Sequence, residues 1–247
     1  MEVHHHHHES HEHKKWHHYF WEFFMLFLAV FCGFLAENFR EHLVDHQKEK
    51  QFMKSLVEDL ATDTIELKRA ILICDSVALY SDSTLIFLSS YKISNEVPVR
   101  LSFLIGIAGQ NQTLINTDRT SSQLKNSGGM RLIGKKIVSD AILNYWKQIE
   151  KTNITLERYR NYRDAGRELA FKLWVLPEVY IRNASQESGS IQMLKVIDTD
   201  HKKWDELANL IAISGLISRR THSNNLNKQF KLAVELITLI KKEYHLE

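Results

Sequence analysis

One stretch near the start of the chain, Tyr19-Phe-Trp-Glu-Phe-Phe-Met-Leu-Phe-Leu-Ala-Val-Phe-Cys-Gly-Phe-Leu-Ala36, limits what the protein can be more than any other. Its 18 residues carry a single charge, Glu22. At about 1.5 Å rise per residue they span roughly 27 Å as a helix, about the thickness of a bilayer's hydrocarbon core. Trp16, Tyr19 and Trp21 crowd its N-terminal edge, where amphipathic rings favour the headgroup level. Two other readings fit less well. A cleaved signal peptide needs small residues at its cleavage site, whereas Phe34-Leu35-Ala36 puts Phe at the −3 position. A lipoprotein site needs a small residue before its cysteine, and Cys32 follows Phe31. A buried core helix has a polar face, and Phe23 to Ala36 has none. The expected organisation is a His-rich tail (1–15), a transmembrane helix (16–37) and a helical domain (38–247). Lys14 and Lys15 before the span, set against Arg40 between Glu37 and Glu41 beyond it, place the C-terminal domain outside the cytoplasm. Lys48, Lys50 and Lys54 pull the other way.

The rest of the chain reads as helix. Two prolines and nine glycines in 247 residues are too few for the many turns of a sheet. The 32 basic and 30 acidic side chains nearly cancel, and a nucleic-acid partner would need a basic surplus gathered on one face. Of two cysteines, Cys32 lies in the span and Cys74 has no soluble partner, so packing rather than disulfides must hold the domain. The fold class is therefore all-α, a transmembrane helix continuing into a long helix, followed by an antiparallel bundle.

Apolar positions at three- and four-residue steps (Phe39, Leu43, Met53, Leu56 or Val57, Leu60, Leu67, Ile71, Cys74, Ala78) predict one long helix to about Ser90, with Glu49, Glu58, Asp59 and Lys68 among the charges filling its other faces. Residues 93–98 break it, and a short helix covers 99–108. Thr117 or Asp118 is placed to cap a further short helix, which Gly128 ends in the left-handed conformation. A second long helix starts near Lys135, with the seam Val138, Ile142, Tyr145, Ile149, Leu156, Tyr159, Ala170 and Leu173, and stops at Pro177. A polar loop, 183–190, leads to the capping cluster Asp198-Thr-Asp200 and to helices over about 203–219 and 225–244. The last carries Leu226, Phe230, Val234, Ile237 and Ile240 on one stripe.

Candidate chemistry is sparse. His4, His5, His6, His7, His8, His11 and His13 form a cluster of imidazoles of the kind that binds Zn²⁺, Ni²⁺ or Cu²⁺. A low-complexity tail or an affinity tag offers the same residues. Five consecutive histidines with others interleaved among Glu9, Glu12 and Lys14 fit native sequence better than a tag. His42 and His46 share a helical face with Asp45 between them, but the inverted zinc-protease pattern requires Glu there. Glu22 is an intramembrane carboxylate one turn from the edge, within reach of the interface. Ala29, Gly33 and Ala36 form a small-residue face that permits close helix packing, making homo-oligomerisation an expectation. Tyr159, Tyr162 and Trp174 read as core. No catalytic or cofactor-binding residue is identified.

Two blocks carry a resemblance. One runs from His4 through Lys14-Lys15-Trp16 and the apolar stretch to Gly33-Phe-Leu-Ala-Glu-Asn-Phe-Arg-Glu-His42 and Glu49-Lys-Gln-Phe-Met-Lys-Ser-Leu-Val-Glu-Asp59. The other is Gln123-Leu-Lys-Asn-Ser-Gly-Gly-Met-Arg-Leu-Ile133 with Asp140-Ala-Ile-Leu-Asn-Tyr145. Together they resemble a family of uncharacterised single-span membrane proteins of Gram-negative bacteria. That resemblance implies a single-pass membrane protein of a bacterial envelope and supplies no catalytic residue; with the flanking charges, the expected location is the inner membrane with the domain in the periplasm. The function expected is a membrane-anchored helical interaction module: a scaffold, sensor or accessory subunit of an envelope complex, with the bilayer and unidentified proteins as partners. The alternative is a metal-handling membrane protein using the histidine tract.

Overall fold

The computed structural model describes residues 16–175 and 193–246, of which 84% are helical. In chain order the elements are α1 (Trp16–Ser90), β1 (Glu96–Pro98), α2 (Val99–Ala108), α3 (Arg119–Asn126), a 3₁₀ turn (Gly129–Leu132), α4 (Lys136–Leu173), β2 (Met193–Lys195), α5 (His201–Leu216), a π-helical turn (Ile217–His222) and α6 (Ser223–Tyr244). The fold is all-α. The chain divides into two compact units, residues 1–50 and 51–247.

In the first unit the described residues are the N-terminal part of α1. Among the described residues this is the one helix long and apolar enough to cross a membrane, and none of its apolar window is buried by the protein. Large side chains such as Phe23, Leu26, Val30 and Phe34 are each about two-thirds exposed.

In the second unit α1 is patterned in sevens. Met53, Leu60, Leu67, Cys74 and Ser81 form one buried series, and Leu56, Asp63, Ala70, Val77 and Thr84 form another offset by three residues. Alternating steps of three and four keep both series on one face of an α-helix. Met53, Leu56 and Leu60 share a core with Val138, Ile142, Tyr145 and Trp146 of α4 and with Ala233, Leu236, Ile240 and Tyr244 of α6. Farther along, Val77 packs with Tyr159 of α4 and Ile217. Tyr80 and Leu85 border a core made by α2, the end of α4, Val97, Leu194 and α5.

These pairings fix direction. Tyr145 donates to Asp63 at 2.7 Å, and Tyr159 meets Val77 fourteen residues farther on in both helices. The helices α1 and α4 therefore run parallel, which corrects the expectation that they pair antiparallel. The antiparallel partner of both is the return run α5, π-turn and α6. Asn225, near the start of α6, donates to Thr155 at 2.8 Å, and Glu243, at its end, pairs with Lys135 at 3.1 Å. Parallel neighbours need a long crossover. Residues 91–135 supply it, carrying the chain from the end of α1 back to the start of α4.

Other boundaries follow local chemistry. Gly128 takes φ +70°, the left-handed geometry expected of it. Asp200 caps α5 by accepting from the Lys202 amide at 3.0 Å. Neither Thr117 nor Asp118 caps α3 with its side chain. That role falls to α1: Asp59 accepts the Thr120 amide at 2.9 Å and Arg119 at 2.8 Å, and Asp63 accepts the Thr117 amide at 2.7 Å. Asp59, read as a surface charge, is thus buried. Ile149 is half-buried rather than in the core. On α6 the buried face is Leu226, Gln229, Ala233, Leu236 and Ile240, and Val234 is exposed. The helix is rolled so that Gln229 donates to Asn116 at 2.8 Å. A short ribbon, unanticipated, pairs Val97 with Leu194 across antiparallel β1 and β2. Pro177 and the loop 183–190 lie outside the described residues.

Gly215 marks a close approach of α5 to α1: a Cβ there would lie 2.6 Å from Ser81 Cβ. Gly215→Ala should destabilise the domain by about 1–3 kcal/mol through overpacking. Adding Ser81→Gly should recover part of that loss. Urea unfolding of the full chain in mild detergent checks both. An unchanged midpoint for Gly215→Ala would mean that these helices lie farther apart.

Candidate functional site

At mid-length of the second unit, where aliphatic side chains thin out on α1, a polar cluster is sealed in the core. Cys74 on α1, Gln112 in the crossover, and Ser218 and His222 on the π-turn are all at most 3% exposed. Gln112 Nε2 donates to Ser218 Oγ at 2.7 Å. The amide oxygen of Gln112 can only accept, and it lies 2.5 Å from His222 Nδ1 and 3.5 Å from Cys74 Sγ. With Gln112 oriented this way, Nδ1 carries the imidazole proton, and Nε2 keeps a lone pair with no partner among the described residues. The Cys74 sulfur sits 3.1 Å from Nδ1. The Tyr159 ring stacks obliquely near His222, with centroids 6.4 Å apart, and its hydroxyl donates to the Gln110 carbonyl at 2.8 Å.

A π-turn places an extra residue in a helical turn. Here it faces Ser218 and His222 inward between α5 and α6, so that one run of chain crosses the cluster without a loop. The sequence suggested a break near 220–224 because Arg219-Arg-Thr-His-Ser-Asn-Asn225 is uniformly polar.

A thiol beside an imidazole invites comparison with a nucleophilic cysteine, which needs a thiolate and an imidazolium. Burial, aided by the Asp75 carboxylate, pushes the Cys74 thiol up to about 12, and burial pulls His222 down to about 4. Both groups are therefore neutral near pH 7, and the pair is not an activated nucleophile. What it does is tie α1, the crossover and the π-turn together by side-chain hydrogen bonds.

The residues singled out from sequence are dispersed. His4, His5, His6, His7, His8, His11 and His13 lie outside the described residues. His42 is exposed, and His46 is 3.3 Å from Glu49. Among the described residues no three His, Cys, Asp or Glu side chains converge as a metal site. Glu22 is exposed, 3.4 Å from His18. Tyr159 and Trp174 are core residues, whereas Tyr162 is more than a third exposed. Gln112, Ser218 and His222 were missed because isolated polar residues read as surface, and Cys74 registered only as an unbridged thiol on the apolar face of the first long helix.

A second feature lies on the opposite face of α1. Ile65, Leu72, Leu79 and Ile86 are 67%, 68%, 61% and 69% exposed, although each could be buried at little cost. Single exposed apolar residues are ordinary, but four at a strict heptad interval fall on one face of the helix. Ser76 and Ser83 stand beside it with short side chains. Counting in sevens outside the inner seam would have found it.

The buried imidazole makes stability depend on pH. Unfolded, His222 titrates near 6.5; folded, near 4. Above about 6.5 both states are neutral and the stabilisation is complete. As pH falls from 6.5 towards 4, only the unfolded chain takes up the proton. Stability then drops by about 1.4 kcal/mol per pH unit and levels off below that window. Between pH 7 and 5, wild type should lose about 2 kcal/mol more than His222→Gln in urea titrations. Equal losses would mean that the imidazole is solvated.

No protein-family model, curated protein or solved structure matches this chain.

Proposed function

We propose that this chain is a single-pass, membrane-anchored helical interaction module whose bundle domain pairs with a second copy through the outer face of α1. The stripe Ile65, Leu72, Leu79 and Ile86 carries the reading. Two copies inserted in one bilayer share one topology, so the same face of α1 is available on each. The stripe supplies one apolar residue per heptad, half the apolar set of a two-stranded coil, and a two-fold pairing would bury it against its own copy. The unburied apolar window of α1 supports the anchor, because leaving such surface in water is costly. Lys14 and Lys15 support a domain outside the cytoplasm, hence the periplasm, and the resemblance to Gram-negative single-span proteins supports anchoring in a bacterial membrane. In this reading the protein acts as a scaffold, sensor or accessory subunit, and no catalysis is assigned to it.

Full-length protein should remain with membranes after carbonate extraction and sediment as a dimer in mild detergent. Leu72→Glu combined with Leu79→Glu should raise the dimer dissociation constant at least a hundredfold, since each buried leucine contributes about 1.5–3 kcal/mol. The two sites are exposed, so the variant should fold as wild type does. Soluble protein after extraction would remove the anchor. A monomeric wild type, or a dimer indifferent to both glutamates, would remove the pairing.

A further inference from the structure

The C-terminal turns of α2 and α4 leave an open cleft of about 330 Å³ between them. That is the lower end of the size range of small-molecule sites. Ile105, Ala170 and Trp174 form its floor, each at most 8% exposed, and Phe171 forms a half-exposed wall. On α2 the opposite wall is cut away at two glycines. A Cβ on Gly106 would have no atom within 4 Å, so the space beside it is open. A Cβ on Gly109 would lie 3.6 Å from Arg167 Cγ, which brings the arginine stem close to the backbone of the crossover.

Arg167 sets the chemistry. Its guanidinium lies over the Phe171 ring, 5.9 Å from the centroid, at the edge of the cleft. Among the described residues no carboxylate pairs with it. One turn earlier, by contrast, Arg163 pairs with Asp164 at 2.6 Å and also donates to Asn111. A guanidinium is planar, always charged and shaped to hold a carboxylate through two parallel hydrogen bonds. The floor beneath it offers aliphatic and indole surface, with the Ser102 hydroxyl committed to the Val99 carbonyl at 2.8 Å. One cation above an apolar floor matches an amphiphile with one negative charge. A cleft of this volume suits a short to medium chain rather than a long one.

We infer that the cleft between α2 and α4 binds a medium-chain fatty acid, its carboxylate on Arg167 and its acyl chain over Ile105, Ala170 and Trp174. The site is separate from the outer stripe of α1 and does not depend on pairing of copies. Of the two glycines, Gly106 admits the ligand, because any larger side chain there projects into the space the chain would fill.

The test uses the full-length protein in nanodiscs of neutral lipid, with a photoactivatable decanoate as probe and peptide mapping of the adduct. Labelling should saturate, map to residues 102–111 and 167–174, and be displaced by decanoate but not by decanol. Gly106→Leu, whose Cβ meets no atom within 4 Å, and Arg167→Gln, which removes the charge on an exposed side chain, should each lower labelling at least tenfold. Both should leave the urea midpoint within error of wild type. Non-saturating labelling, or labelling equal in both variants, would mean partition into lipid and overturn the site. Displacement by decanol as effective as by decanoate would overturn the role of Arg167. A variant with an altered midpoint would be replaced by Gly106→Val or Arg167→Met, judged by the same tenfold criterion.

Discussion

The inner face of α1 is the surface on which the second unit is assembled. Ten positions in two heptad series, Met53 to Ser81 and Leu56 to Thr84, are turned inward, and each of the three cores made with α4, α6 and the α2–α5 end takes residues from this helix. In a folded protein most of a helix's stability comes from packing of its apolar face rather than from backbone propensity. The two acidic residues in the seam do what an aliphatic residue could not. Asp59 and Asp63 receive the amides that open α3, and Asp63 also receives the Tyr145 hydroxyl, so α1 holds the crossover and α4 by directed bonds. Desolvation raises the pKa of Asp63, and the amide and phenol donors offset the cost of burying the carboxylate.

Parallel packing of α1 and α4 explains the remaining architecture. A parallel pair leaves a groove that the return run fills from the opposite direction, and the return must cross the middle of the unit without interruption. A π-turn meets that requirement, placing Ser218 and His222 against Cys74 and Gln112 where an α-turn would present different side chains. The Nε2 of His222, without a partner among the described residues, is the cost of this arrangement, and Gly215 lies close against Ser81. The opposite face of α1 is free of these demands, so the exposed stripe from Ile65 to Ile86 is not required by the fold.

Local chemistry was readable from residues; relative placement was not. The end of α1 at Ser90, α2 over 99–108, the left-handed Gly128 and the Asp200 cap each depend on a few adjacent residues, and each lies where the pattern put it. Helical periodicity, however, reads the same in either direction, so the seams of α1 and α4 could not say whether the helices run parallel. The length of residues 91–135 was the available clue, since antiparallel neighbours need only a short loop. Asp59 was misread, and Gln229 passed over, for a different reason: a polar residue is sorted to the surface unless its partner is known, and the partners Thr120 and Asn116 are distant in sequence. The roll of α6 that exposes Val234 follows from the Gln229 bond. Three-residue strands such as β1 and β2 are too short to show alternation. Of the candidate site, Cys74 was visible as an unbridged thiol, and nothing adjacent in sequence pointed to Gln112 or His222.

The parallel course of α1 and α4 is tested most directly by two spin-label distances in the full-length protein in detergent. One pair joins exposed positions at the matching ends, Lys54 on α1 and Lys136 on α4. The other joins Lys54 to the far end of α4 at Glu168. Parallel helices require the first distance to be clearly shorter than the second. A shorter Lys54–Glu168 distance would make the pair antiparallel and contradict the account of how the domain is built on α1.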